Sequence, residues 1–82
     1  MKIIKFYADY CWPCKKYAPI IEQFCIDKWI ELVSIDIEKN KEMTRKYNVS
    51  SIPTTVFIKD WKETILRWIL NEDMLESTLS VL

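Results

Sequence analysis

Lys2-Ile3-Ile4-Lys5-Phe6-Tyr7-Ala8-Asp9-Tyr10-Cys11-Trp12-Pro13-Cys14 is the stretch on which the fold turns. Its first half, Lys2 to Tyr7, is short and rich in isoleucine and aromatics, which predicts a strand. Its second half ends in two cysteines with Trp12 and Pro13 between them, and Pro13 suits a first helical turn. From Pro13 to about Asp27 the apolar positions Cys14, Ala18, Ile21 and Cys25, with Ile20 and Phe24 beside them, recur at spacings of three and four, the period of a helix face. Pro19 falls inside this helix and removes one hydrogen bond, so a bend is expected there. The cysteine pair therefore stands where a strand gives way to the N-terminus of a helix.

Working outward, Ile30 to Ile37 is β-branched and apolar and reads as a second strand. Asn40 is a suitable cap for a short helix over Lys41 to Tyr47, and Asn48 tolerates the left-handed backbone that ends it. Thr54 to Ile58 and Glu63 to Trp68 flank the polar turn Lys59-Asp60-Trp61-Lys62, a hairpin pattern. Asn71 caps a last helix whose apolar set is Met74, Leu75, Leu79 and Leu82. The order is βαβαββα, an α/β fold with a right-handed crossover joining two parallel strands and helices on both faces of the sheet. In open α/β sheets the site lies at the end where strands hand over to helices, and the cysteine pair is there.

The 82 residues are expected to form one domain spanning 1–82, because so short a chain buries only about 60% of its unfolded surface and supports one core. Half the residues are apolar and 13% aromatic, which argues against disorder. Twelve Lys plus Arg balance twelve Asp plus Glu without a charged block, so no nucleic-acid or anionic-membrane partner is indicated. Apolar runs are too short for a membrane span or the core of a secretory signal, and a cytoplasmic setting is expected. The absence of His excludes a His general base, a Ser-His-Asp triad and the usual imidazole ligands of zinc. The absence of Gly excludes phosphate-cradling loops.

What remains is sulfur chemistry. A cysteine at a helix N-terminus meets unpaired backbone N–H groups and the positive end of the dipole, both of which favour the thiolate. Cys11 holds that position, and Cys14, about one turn on, is close enough to attack a mixed disulfide on Cys11 and expel the partner thiol. Trp12 and Pro13 stiffen the intervening loop. A metal reading needs four ligands, and beyond this pair the chain offers only Cys25 and carboxylates. No metal is expected. Cys25, eleven residues after Cys14 on the same helix and so about 16 Å away, is beyond disulfide reach and reads as core, together with Tyr7, Phe24, Phe57 and Met74. The charges along Lys39 to Lys46 read as a solvated helix face.

Phe6-Tyr7-Ala8-Asp9-Tyr10-Cys11-Trp12-Pro13-Cys14-Lys15, Ala18-Pro19-Ile20, Ser34-Ile35-Asp36-Ile37, Lys46-Tyr47-Asn48-Val49 and Ser51-Ile52-Pro53-Thr54-Thr55 resemble thioredoxin in order and in spacing. The resemblance runs essentially end to end, without the family's N-terminal strand and helix, which leaves the four-stranded, three-helix core that glutaredoxins share. It implies a minimal thioredoxin fold with a mixed sheet, and a protein-disulfide oxidoreductase in which Cys11 is the nucleophile and Cys14 the resolving thiol. It implies Pro19 as the helix kink and Pro53 as a cis proline facing the disulfide, with the backbone of Ile52 offered to an extended substrate segment. The implied partners are disulfide-containing target proteins and either a thioredoxin reductase or glutathione as electron donor. The implied cofactor is none beyond the redox-active Cys11–Cys14 disulfide, and the implied state is a monomer.

Three departures from that pattern stand out. Trp12 occupies the place of the glycine that thioredoxins usually carry between the first cysteine and the proline, and would alter partner fit. Lys5 falls where the family has a buried acid: an amine held beneath the disulfide would favour the Cys14 thiolate and make the disulfide more oxidising, whereas one that snorkels along the sheet edge would reach solvent. Near Trp68 to Leu70 the family's substrate groove has a glycine that is replaced here. Two alternatives carry different expectations. A glutaredoxin-like, glutathione-dependent donor would draw its acids from Glu72 and Asp73 but lacks the Gly pair. A thioredoxin-like binding subunit would survive replacement of Cys11 and Cys14 by Ser.

Overall fold

The computed structural model describes all 82 residues. Its elements are β1 (Lys2–Tyr7), α1 (Trp12–Lys28), β2 (Glu31–Asp36), α2 (Lys41–Lys46), β3 (Thr54–Lys59), β4 (Lys62–Leu66) and α3 (Glu72–Ser80). They form one four-stranded sheet in the order β2-β1-β3-β4. β1 runs parallel to β2 and antiparallel to β3, and β4 is antiparallel to β3, so the sheet is mixed as expected.

Alternation along the central strands divides the core into two layers. Ile3 and Phe57 project to one face and pack with Tyr17, Ile21, Phe24 and Cys25 of α1 and Leu75 of α3. Ile4, Phe6 and Val56 project to the other and pack with Tyr47 and Met43 around α2. A sheet with both faces covered in this way fixes its own register, because a one-residue slip would exchange the two layers.

Side chains end the helices as the sequence predicts. Asn40 Oδ1 accepts from the N–H of Met43 at 3.1 Å, and Asn71 Oδ1 accepts from that of Met74 at 2.8 Å. Asp60 and Trp61, both at positive φ, make a two-residue turn between the paired residues Lys59 and Lys62. This is the primed geometry whose twist matches the flanking strands. Trp29 and Asn48 complete the set of left-handed residues.

The structure corrects several details. Tyr17 is fully buried where the sequence pattern favoured Ile20, which lies at the margin of the stripe and is exposed. Met74 is also exposed; α3 turns Leu75 inward instead, with Leu79 and Leu82 beside it. Tyr7 is only half-buried at the last position of β1. β4 stops at Leu66, two residues before the expected end, and α1 extends one residue further at each end. Pro19 lies inside α1, where the sequence places it. Pro19 is exposed, so the Lys15 carbonyl it leaves unpaired is on the solvent side of the helix.

The difference between the two isoleucines of α1 is measurable. Ile21→Ala should cost about 2–5 kcal/mol in urea unfolding, the range for a buried aliphatic truncated to alanine. Ile20→Ala should cost less than about 1 kcal/mol. Equal losses would mean that the helix is rotated from the orientation described.

Candidate active site

The loop after β1 is short and its hydrogen bonding is local. The Cys11 N–H donates to the Ala8 carbonyl at 3.1 Å, and the Cys11 carbonyl accepts the Lys15 N–H at 3.3 Å, the first bond of α1. Cys11 is the N-cap residue, with φ −86° and ψ 101°. Ser, Thr, Asp or Asn usually serves there with an oxygen. Here the Sγ of Cys11 takes that role and accepts the N–H of Cys14 at 3.2 Å. One sulfur is thus both the helix cap and half of a bridge, because Cys11 and Cys14 are disulfide-bonded with their Cα atoms 5.2 Å apart.

Both cysteines are buried, and with Ala8 they form a small apolar cluster against which Tyr7, Ile37 and Ile52 pack. Ile52 therefore reaches the bridge from the loop before β3. The Ile52-Pro53 bond is cis, as the resemblance implied, and Pro53 is buried at the start of that strand. Trp12 is exposed next to Cys11, with the Lys16 ammonium 5.9 Å from its ring centroid. Pro13 is exposed in the first turn of α1. The predicted site residues Cys11, Trp12, Pro13, Cys14, Ile52 and Pro53 thus share one end of the sheet.

Lys5 is in the same neighbourhood and does not reach solvent along the sheet edge. It is 4% exposed in a central strand. With Cys14 it borders a cavity of about 300 Å³ whose other walls include Tyr7, Ala18, Glu22 and Ser34. The Lys5 ammonium lies 3.6 Å from a carboxylate oxygen of Glu22, a half-exposed side chain of α1, and 5.4 Å from the centroid of the Tyr7 ring. The strand register places Ser34 and Thr55 on either side of Lys5. Thr55 in turn shares a 2.8 Å hydrogen bond with the hydroxyl of Tyr17. A polar row therefore crosses the sheet behind the disulfide. Glu22 and Tyr17 are the parts of this arrangement that the sequence reading missed. Glu22 carried a faint signal, since it lies eight residues after Cys14, near the same side of α1.

Cys25 is buried and free at the far end of the same helix. Burial raises its thiol pKa from 9.0 to about 11, against a smaller downward pull from Lys5. Burial likewise raises Tyr17 from 10.0 to about 12, with the Thr55 hydrogen bond acting the other way. Glu72 and Asp73 occupy the first turn of α3, where acidic side chains complement the helix dipole. No helix is long and apolar enough to cross a membrane.

The family model for thioredoxin matches residues 1–79. Thioredoxin of Mycoplasmoides gallisepticum is 39% identical over 62 residues, which cover 73% of this chain and 61% of that protein. The chain spans about three fifths of the length of such curated relatives. Among solved structures, thioredoxin of Fasciola hepatica superimposes with a TM-score of 0.85 at 34% identity, covering 98% of this chain and 78% of that one. Thioredoxin 1 of Thermosipho africanus gives a TM-score of 0.85 at 23% identity, a likeness of fold, over 99% and 97% of the two chains.

The raised pKa of Cys25 sets a pH dependence. A thiol whose folded pKa lies above its unfolded value stabilises the fold fully below about pH 9, and that contribution is lost as pH rises toward about 11. With the Cys11–Cys14 bridge intact, unfolding free energy should fall over this window, with Cys25 accounting for on the order of 2 kcal/mol. Cys25→Ala should show a flatter profile from pH 8 to 11 in urea titrations, and a profile parallel to that of the parent protein would refute the assignment.

Proposed function

The chain belongs to the thioredoxin family, and on that premise we propose that it is a thiol-disulfide oxidoreductase that reduces disulfide bonds in other proteins. The observation that carries this reading is the Cys11–Cys14 bridge at the N-terminus of α1, with a main-chain N–H already directed at the Cys11 sulfur. In the reduced form that N–H and the helix dipole favour a thiolate on Cys11.

The Cys11 thiolate attacks one sulfur of a target disulfide, forming a Cys11–target bond and releasing the other target sulfur as a thiolate. Cys14, deprotonated, attacks the Cys11 sulfur. The internal bridge forms, the second target thiolate leaves, and two electrons have passed to the target, whose thiolates take up the protons. A reductase, or glutathione as thiol donor, restores the dithiol. The matched family and the curated relatives cited are thioredoxins, which favours the reductase over the glutathione-dependent alternative.

Trp12, Pro13, Ile52 and Pro53 form the proposed contact surface for target proteins. The loop that carries Ile52 precedes β3, where an extended segment can be bound through main-chain hydrogen bonds with little demand on its sequence. Lys5 modulates the couple. A buried cation bordering the same cavity as Cys14 favours a thiolate there and so the reduced form, which makes the disulfide more oxidising. A monomer working in a reducing, cytoplasmic compartment completes the proposal.

Reduction of insulin, driven in parallel by a thioredoxin reductase with NADPH and by glutathione with its reductase, tests the activity. The reductase-driven arm should proceed, and Cys11→Ser should abolish it. Cys14→Ser should instead accumulate a covalent adduct with the target that thiol reagents release. Activity in the glutathione arm alone would make the chain glutaredoxin-like, and a function that survives replacement of both cysteines would make it a binding subunit. For Lys5, substitution by Met should raise the oxidised fraction at a fixed glutathione ratio, a change of about tenfold in the equilibrium constant or about 30 mV. An unchanged equilibrium would remove Lys5 from the mechanism.

A further inference from the structure

Four tryptophans and no glycine make an unusual pairing in a chain of this size. Average usage of glycine is about 7%, or roughly six residues here. The tryptophans are equally unusual in where they lie. All three phenylalanines are buried, and Tyr17 and Tyr47 with them. No tryptophan is buried: Trp12 is 65% exposed, Trp29 96%, Trp61 99% and Trp68 53%. The largest apolar side chain is normally among the more buried on average.

The backbone is more specific than the exposure. Trp29 closes α1 in the left-handed conformation, φ 58° and ψ 41°, with its N–H on the carbonyls of Cys25 and Ile26. That is the helix-ending geometry in which glycine is favoured because a Cβ crowds the following carbonyl. Trp61, at φ 68°, is the second residue of the two-residue β3–β4 turn and follows Asp60. Asp-Gly is among the preferred pairs for that turn. A bulky aromatic at positive φ is a true outlier, and here there are two, neither of them held by burial. The remaining two are Trp12 beside Cys11, in the place where thioredoxins usually carry glycine, and Trp68 in the bend between β4 and α3, near the place of the family's groove glycine. No tryptophan is left over.

We propose that positions 12, 29, 61 and 68 carry glycine in the cell that makes this protein, their shared triplet being decoded there as glycine instead of tryptophan. One reassigned triplet accounts for the missing glycines, the exposed indoles and the two left-handed outliers together. UGA is the triplet this requires, because genetic codes differ in how they read it, whereas UGG specifies tryptophan. The consequence for the disulfide rests on the oxidoreductase reading above. With glycine at 12 and 68 no indole stands beside the Cys11 sulfur or in the bend before α3, and a target's main chain can approach closely. These two positions then determine which targets fit.

The gene and the protein decide the matter. The four coding triplets should be UGA, and peptide mass spectra of the protein isolated from its own cells should show glycine at all four positions. UGG triplets, or tryptophan in those peptides, would overturn the proposal. A backbone test runs on recombinant protein. Replacing Trp29 and Trp61 together by Gly should raise the unfolding midpoint by about 4–8 °C or more, whereas replacing both by Ala, which keeps the Cβ, should not. A Gly pair no more stable than the Ala pair would overturn the assignment at these turns. Trp12→Gly with Trp68→Gly should accelerate insulin reduction several-fold. If the mass and stability results hold and this last arm shows no reduction at all, the oxidoreductase reading fails and the glycine assignment stands.

Discussion

The antiparallel pairing of the two central strands is the constraint on which the site depends. β1 ends and β3 begins at the same end of the sheet, with Phe6 opposite Thr54. The turn that carries Cys11 leaves β1 at that end, and Pro53 leads into β3 there. Two segments more than thirty residues apart in the chain thus meet without any long loop, and Ile52 packs against the cluster of Ala8, Cys11 and Cys14. Helix α1 starts where this junction is, and the N–H of Cys14 in its first turn is directed at the Cys11 sulfur. The parallel partner β2 closes the crossover and contributes Ile37 to the same cluster from just beyond its end.

Much of this could be read from local signals. A capping asparagine, a CxxC at a strand-to-helix change and a polar turn each act over a few residues, and the structure places Asn40, Asn71, Cys11 and a hairpin turn within Lys59 to Lys62 as those signals require. The features that escaped depend on distant partners. Tyr17 is buried because its hydroxyl meets Thr55, 38 residues on, and a tyrosine whose polar end is satisfied fills the interior better than the nearby Ile20 at the margin of the stripe. Lys5 stays inside because Glu22 and the Tyr7 ring meet its ammonium. Tyr7 lies two residues on in the same strand, but no pattern within β1 announces Glu22 of α1. Met74 and Leu75 are adjacent and both apolar, and only the docking of α3 on α1 selects which one turns inward.

Behind the disulfide, Ser34, Lys5 and Thr55 lie in one row across three strands, and Tyr17 caps the row from α1. Every buried side-chain polar atom in the fold has a partner. An unpaired polar group in such a place is costly, and here Thr55 is satisfied by Tyr17 and Lys5 by Glu22. The glycine assignment has the opposite character: it concerns exposed positions, at two of which, 29 and 61, the backbone dihedrals carry the information. Interior chemistry and exposed turns thus report on the sequence by different routes, one through contacts and the other through conformation.

The placement of the third sulfur has a consequence for the molecule as a covalent object. Three cysteines permit three pairings, and proteins with mobile thiols interchange among them by attack of the free thiolate on the bridge. Here Cys25 is buried in the core, its proton held well above neutral pH, with most of α1 separating it from the bridge. Isomer shuffling is thereby closed off. The oxidised protein is a single chemical species, and its electron content takes only two values.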